Sequence, residues 1–131
     1  MNELTITTLI TSIFVFLIVP LSMQITMKRI KLGNIAIGDG NNDDLRKKIE
    51  TLGNFSEYVP LGLILLAVFE YKFGSTMSVA FYGGVFLLCR VIHLIGMLYT
   101  STPLLRAIAM IVQHISFFIV GGTLIYTIVL P

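Results

Sequence analysis

A chain of 131 residues in which 56% of the side chains are hydrophobic and only 12% are charged, with a mean hydropathy of +0.91, exposes too much apolar surface to stay dissolved as a globular domain. The formal net charge of +2 is too small, and its basic residues too scattered, to form a nucleic-acid surface. What remains is an integral membrane protein whose surroundings are lipid.

The first apolar run, about residues 4–26, has no basic stretch ahead of it and no small-residue cleavage site behind it, so it is read as a retained membrane helix and not as a leader. The connection after it, "KRIKLGNIAIGDGNNDDLRKK", holds most of the Lys and Arg. Within it, Asp39, Asn41, Asp43 and Glu50 occupy positions 1, 3, 5 and 12 of a calcium-binding loop. Asp44 stands where the sharp turn of that loop needs Gly, and Arg46 to Lys48 would crowd a cation. Gly38-Asp39-Gly40 is therefore read as a turn, and no metal site is predicted.

Asn42 or Asp43 is suited to cap a second helix, and its polar opening "LRKKIE" protrudes before an apolar run at about residues 49–69. The tight turn "EYKFGST", with Lys72 balanced by Glu70, leads into a third run at about 77–99. A short connection around Ser101 leads into a fourth, about 104–130. Each run supplies the roughly 20 residues that cross about 30 Å of hydrocarbon. The predicted fold is all-α: one domain over residues 1–131, built as an integral membrane four-helix antiparallel bundle. By the positive-inside rule the first loop and the connection at Ser101 are cytoplasmic, and both termini lie on the other side. Cys89, the single cysteine, excludes an internal disulfide and reads as a small buried hydrophobe.

Ionisable groups inside a bilayer are costly and need a partner or a purpose. Counting 1.5 Å per residue puts Glu57 roughly 10 Å and Asn54 roughly 6 Å inside the inner boundary, with Arg90 on the antiparallel third helix at the level of Glu57 and His93 at the level of Asn54. Asn54 and Glu57 are i,i+3, as are Arg90 and His93, so each pair shares a face. A Glu57–Arg90 ion pair completed by Asn54 and His93 is expected. Gln113 and His114 fall in the same half of the membrane, with Arg106 two turns before Gln113. The cluster is either an interhelical clamp or a ligand site, and it holds more polar groups than one clamp needs.

"GNFSEYVP" resembles the helix-two signature of the membrane-associated proteins in eicosanoid and glutathione metabolism, the MAPEG family of microsomal glutathione transferases and leukotriene C4 synthase. Arg90, His93 and Gly96 in "RVIHLIG" are similar to the helix-three pattern of its bacterial members, "LLRAIAM" to the start of their fourth helix, and "IAIGDGN" to their short first loop. The resemblance spans essentially the whole chain. It implies a homotrimer in a bacterial inner membrane that holds glutathione, as co-substrate and without a metal, between neighbouring subunits near the cytoplasmic face. It assigns glutathione contacts to Asn54 and Glu57, a supporting role to Arg90, and a thiol-side contact to His93. Two departures stand out. Glu50 occupies a position where the family commonly has Arg, leaving Lys47 as a distant substitute. The thiol-activating arginine of the better-known members aligns with Leu104, two positions from Arg106.

A glutathione transferase needs a cation or donor at the sulfur, so that the thiol ionises near neutral pH and attacks an electrophile dissolved in the membrane. Arg106, assisted by His93, is the candidate for that charge, with Gln113 lining the site. Arg29 and Lys31 would draw the anionic tripeptide to the cytoplasmic face as well as anchor the chain at the interface. Three readings follow: a glutathione-dependent transferase or peroxidase acting on hydrophobic electrophiles, a non-catalytic relative binding a lipid or thiol ligand, and a small scaffold without ligand.

Overall fold

The computed structural model describes residues 3–100 and 103–130; the connection at Ser101 lies outside the described residues. Four helices follow one another: α1 (Thr5–Lys31), α2 (Asp43–Phe73), α3 (Met77–Tyr99) and α4 (Leu104–Val129). All four are long and apolar enough to cross a membrane. No strand occurs among the described residues. The chain is an integral membrane protein of all-helical class.

Asn42 caps α2, its side-chain oxygen accepting from the Leu45 N–H at 2.9 Å. With 31 residues, α2 is about 46 Å long, so its first turns stand clear of the hydrocarbon. There Asp44 pairs with Lys28 of α1 at 2.9 Å and with Lys48 on its own helix. Asp39 forms a turn, accepting from the Asn41 N–H at 3.0 Å and from Arg46 Nε at 2.7 Å. The Arg46 hydrogen bond holds the Asp39 carboxyl below the usual carboxylate range.

α2 and α3 form the central pair. α1 leans on both from one side and α4 from the other, and α1 and α4 do not pack against each other. The bundle is therefore a flattened rhombus, with α1 and α4 at its far corners. Phe86 of α3 sits fully buried at the centre, edge-on to Phe14 of α1 at 5.3 Å and tilted against Phe117 of α4 at 5.8 Å. Its ring lies directly over Gly62 of α2, in space that a Cβ would need. Gly62→Val is expected to cost about 1–3 kcal/mol by overpacking this contact, measured as a fall in thermal unfolding temperature. On the outside, side chains such as Phe16, Phe81 and Phe118 face outward, as a lipid-facing surface requires.

Glu70 departs from its expected place as the surface counterpart of Lys72: it is completely buried. α1 has no side-chain cap of its own, and the Glu70 carboxylate supplies one. Oε1 accepts from the Ile6 N–H at 2.8 Å, and Oε2 from the Thr7 N–H and hydroxyl, both at 2.7 Å. Ser75 Oγ completes the set by donating to Oε1 at 2.6 Å. A carboxylate at a helix N-terminus meets free N–H donors and the positive end of the helix dipole together, which is why it tolerates burial.

Candidate functional site

At the other end of the bundle, nearer the first loop, Arg90 is 1% exposed. Its guanidinium donates from Nη1 to Asn54 Oδ1 at 3.0 Å and from Nη2 to Met110 Sδ at 2.9 Å. The group lies over the Tyr58 ring, 5.2 Å from its centroid. Tyr58 in turn meets the His114 ring edge-on at 5.5 Å. His114 Nδ1 lies 2.6 Å from the Met110 carbonyl. The contacts close into a ring through three helices: Tyr58 of α2, Arg90 of α3, then Met110 and His114 of α4. Arg90 Nε remains buried without a partner, and so do both amide atoms of Gln113, a side chain with no exposure at all.

The expected Glu57–Arg90 pair does not form: Glu57 is exposed on the outer face of α2. The depth was right and the direction around the helix was not. Arg90 sits between Asn54 and the residue four later, Tyr58, which are about 40° apart, whereas Glu57 is turned about 60° to the other side of Asn54. His114 joins the cluster at the expected depth, and the i,i+4 spacing of Asn54 and Tyr58, and of Met110 and His114, was the signal that could have placed Tyr58 and Met110 there as well.

A second group adjoins the first. His93 is buried and lies within electrostatic reach of both Arg90 and Arg106. Arg106 is half-buried, and its Nη1 donates to Met97 Sδ at 3.2 Å. Gly96 lets it approach: a Cβ there would come within 2.8 Å of Arg106 Cγ and 3.3 Å of its backbone nitrogen. Both arginines thus rest on methionine sulfur, a weak acceptor, and no carboxylate among the described residues pairs with either.

The remaining predicted residues lie elsewhere. Arg29 lines a separate cleft of about 390 Å³ between α1 and α2, with Ser22, Thr26, Gly53 and Ser56. Its Nη2 donates to the Gly38 carbonyl at 3.3 Å, and its Nε is buried without a partner. This cleft occupies the face of α2 turned away from Asn54 and Tyr58. Lys47 is half-buried and Glu50 exposed, and Lys47 sits about 10 Å along the axis from Asn54. Within one chain the predicted residues therefore form one dense polar core, one α1–α2 cleft and an outward-facing carboxylate.

Compared with known proteins, the chain matches the model of the MAPEG family over residues 5–126. No curated protein matches it significantly.

Proposed function

Because the chain belongs to the MAPEG family, we propose that it is a membrane glutathione transferase or peroxidase of the microsomal type, conjugating or reducing hydrophobic electrophiles taken from the lipid phase. Arg90 carries the reading. A guanidinium 1% exposed and held, among the described residues, by neutral acceptors costs several kcal/mol to bury. An anionic tripeptide would offset that cost, and Gln113, with both amide atoms unpartnered, would gain the hydrogen bonds it lacks.

In this proposal glutathione lies between neighbouring subunits. Asn54, Arg90 and Gln113 of one subunit hold it together with Lys47 and the outward-facing Glu57, Arg29 reaches it from the α1–α2 cleft of the next, and Arg106 with His93 stabilises its thiolate. The thiolate then attacks the electrophile. The protein assembles as a homotrimer. Glu57 faces outward at the depth of the cluster, where lipid is a poor neighbour for a carboxylate, and a second subunit would cover it. Gly84, Gly121 and Gly122 have nothing within 4 Å, leaving room for close helix approach between subunits. The basic first loop sets the orientation, with both termini outside and the membrane a bacterial inner one.

The test is a glutathione titration of the detergent-solubilised protein. Thermal stability rising with the logarithm of ligand concentration supports the reading; no rise at millimolar glutathione overturns it in favour of a non-catalytic relative or scaffold. Arg106→Leu is expected to abolish the thiolate absorbance of bound glutathione and lower conjugation by about 10²-fold, with affinity falling less. Two observations favour the non-catalytic reading as runner-up: Glu50 is exposed at the family's arginine position, and Arg106 is engaged by Met97. Glu50→Arg is expected to tighten glutathione binding if only the clamp has drifted.

A further inference from the structure

The far end of the bundle, at the α2–α3 turn, carries a groove that lies apart from the polar ring. Its deeper part, about 470 Å³, runs between α3 and α4 past Tyr82, Val85, Ser116 and Ile119. Its shallower part, about 450 Å³, shares Phe69 and Ser78 with the first and reaches Phe73, Thr76 and Thr123 toward the membrane surface. Phe81 and Ile119 on its wall are exposed and Met77 is 85% exposed, so the groove opens sideways to hydrocarbon. No charged side chain lines either part among the described residues.

Tyr82 is 4% exposed, its ring fixed edge-on to Phe69 at 6.0 Å and stacked with Phe86 at 6.5 Å. Its hydroxyl is buried without a partner, whereas the Ser116 and Thr123 hydroxyls already donate to the carbonyls of Gln113 and Ile119. A buried phenol that donates to nothing forgoes the hydrogen bond it had in water. Tyr82 stands five residues into α3, about 8 Å from its start, and helical side chains lean toward the N-terminus of their helix. The phenol is thereby carried back toward Ser78, just beneath the interfacial layer. Met77, unbranched and outward-facing on the same wall, can swing aside to admit an oxygen to it. At the rim Lys72 shares a face of α2 with Phe69 and Phe73. It is exposed and no carboxylate pairs with it among the described residues, because Glu70, its expected counterpart, is engaged by the start of α1.

We propose that this groove is a phospholipid site for the leaflet on the side of the termini. One acyl chain lies in the α3–α4 trough, its ester carbonyl accepts from the Tyr82 hydroxyl, and the phosphodiester faces Lys72. From the surface inward the wall offers a cation, a hydroxyl donor and an apolar trough, and a glycerophospholipid presents phosphate, ester and chain in that same order. A free carboxylate does not suit the depth of Tyr82, since it would be buried there without a cation. The site lies at the opposite end of the bundle from Arg90 and does not depend on the glutathione-dependent reading.

The experiment uses the full chain in detergent, with lipid added back and binding followed by native mass spectrometry and by thermal stability. The probes are dioleoyl phosphatidylglycerol, its diether analogue, which replaces the ester carbonyls by ether oxygens of weaker acceptor strength, and oleic acid. Wild-type protein is expected to bind one dioleoyl phosphatidylglycerol per subunit, about fivefold tighter than the diether, and oleic acid more weakly than either. Tyr82→Phe is expected to abolish the preference for ester over ether while leaving the unfolding temperature without lipid unchanged or higher, because the lost donor had no partner. Lys72→Gln is expected to weaken both phospholipids about fivefold and keep the ester preference. Equal binding of ester and diether by the wild type, a preference that survives in Tyr82→Phe, oleic acid binding as tightly as the phospholipid, or unchanged affinity in Lys72→Gln overturns the proposal. Phospholipid bound by dissociated subunits alone also overturns it, since a second copy of the chain then covers the groove. Should Tyr82→Phe fail to fold, Ile119→Trp, which fills the trough from its exposed wall, is expected to weaken binding about tenfold, and an unchanged affinity there overturns the proposal.

Discussion

Glu70→Ala is expected to destabilise the protein by about 3–5 kcal/mol, read as a fall of roughly 10–20 °C in the thermal unfolding temperature in detergent. The substitution removes four hydrogen bonds at once. It also leaves the part-buried Ile6 and Thr7 N–H groups without acceptors, and that desolvation is the larger part of the loss. Thr7→Val removes one hydroxyl bond and keeps the cap, so about 1 kcal/mol is expected there. Equal small losses in the two variants would show that water replaces the carboxylate, and that Glu70 contributes little to the fold.

Arg90→Leu is expected to separate stability from binding. Without a carboxylate partner among the described residues, the buried guanidinium is a desolvated charge, and an apolar side chain of similar reach should leave ligand-free thermal stability within about 1 kcal/mol of wild type. Glutathione affinity should nevertheless fall by about 10²-fold or more, the scale of losing a charge-assisted contact. The loss is measured by the same thermal titration. A large stability loss with binding intact would make Arg90 a clamp and nothing more. Glu57→Gln is expected to leave the isolated subunit's stability almost unchanged, because Glu57 is exposed and does not meet Arg90.

How far these features could be read from the residues depends on which physical quantity carried them. Helix number and order came from apolar run length against bilayer thickness, and this constraint is strong because backbone groups in lipid have no alternative partner. Depth was legible for the same reason: Arg90 does lie level with the turn that holds Asn54 and Glu57. Direction around the helix was not, since i,i+3 and i,i+4 partners differ by only about 100° and either can face a neighbour. Tyr58 and not Glu57 therefore completes the contact with Arg90. Glu70 was missed because the groups that require it are the backbone N–H donors of Ile6 and Thr7, more than sixty residues away, and the hydroxyls of Thr7 and Ser75 that join them do not by themselves signal a buried carboxylate. Arg29 and Arg90 were expected in one site, yet the α1–α2 cleft and the polar ring lie on different faces of α2.

The carboxylate that caps α1 also sets an order of events. During synthesis α1 emerges first, with its opening amide groups lacking their acceptor until α2 and the turn at Ser75 have been made and placed beside it. Until then those amides must stay in contact with interfacial water or headgroups, which holds the start of α1 at the membrane surface. The first helix is consequently seated last at that end: its final depth is fixed only when the α2–α3 hairpin arrives. A chain cut before Glu70 would carry an α1 whose first turn still depends on water.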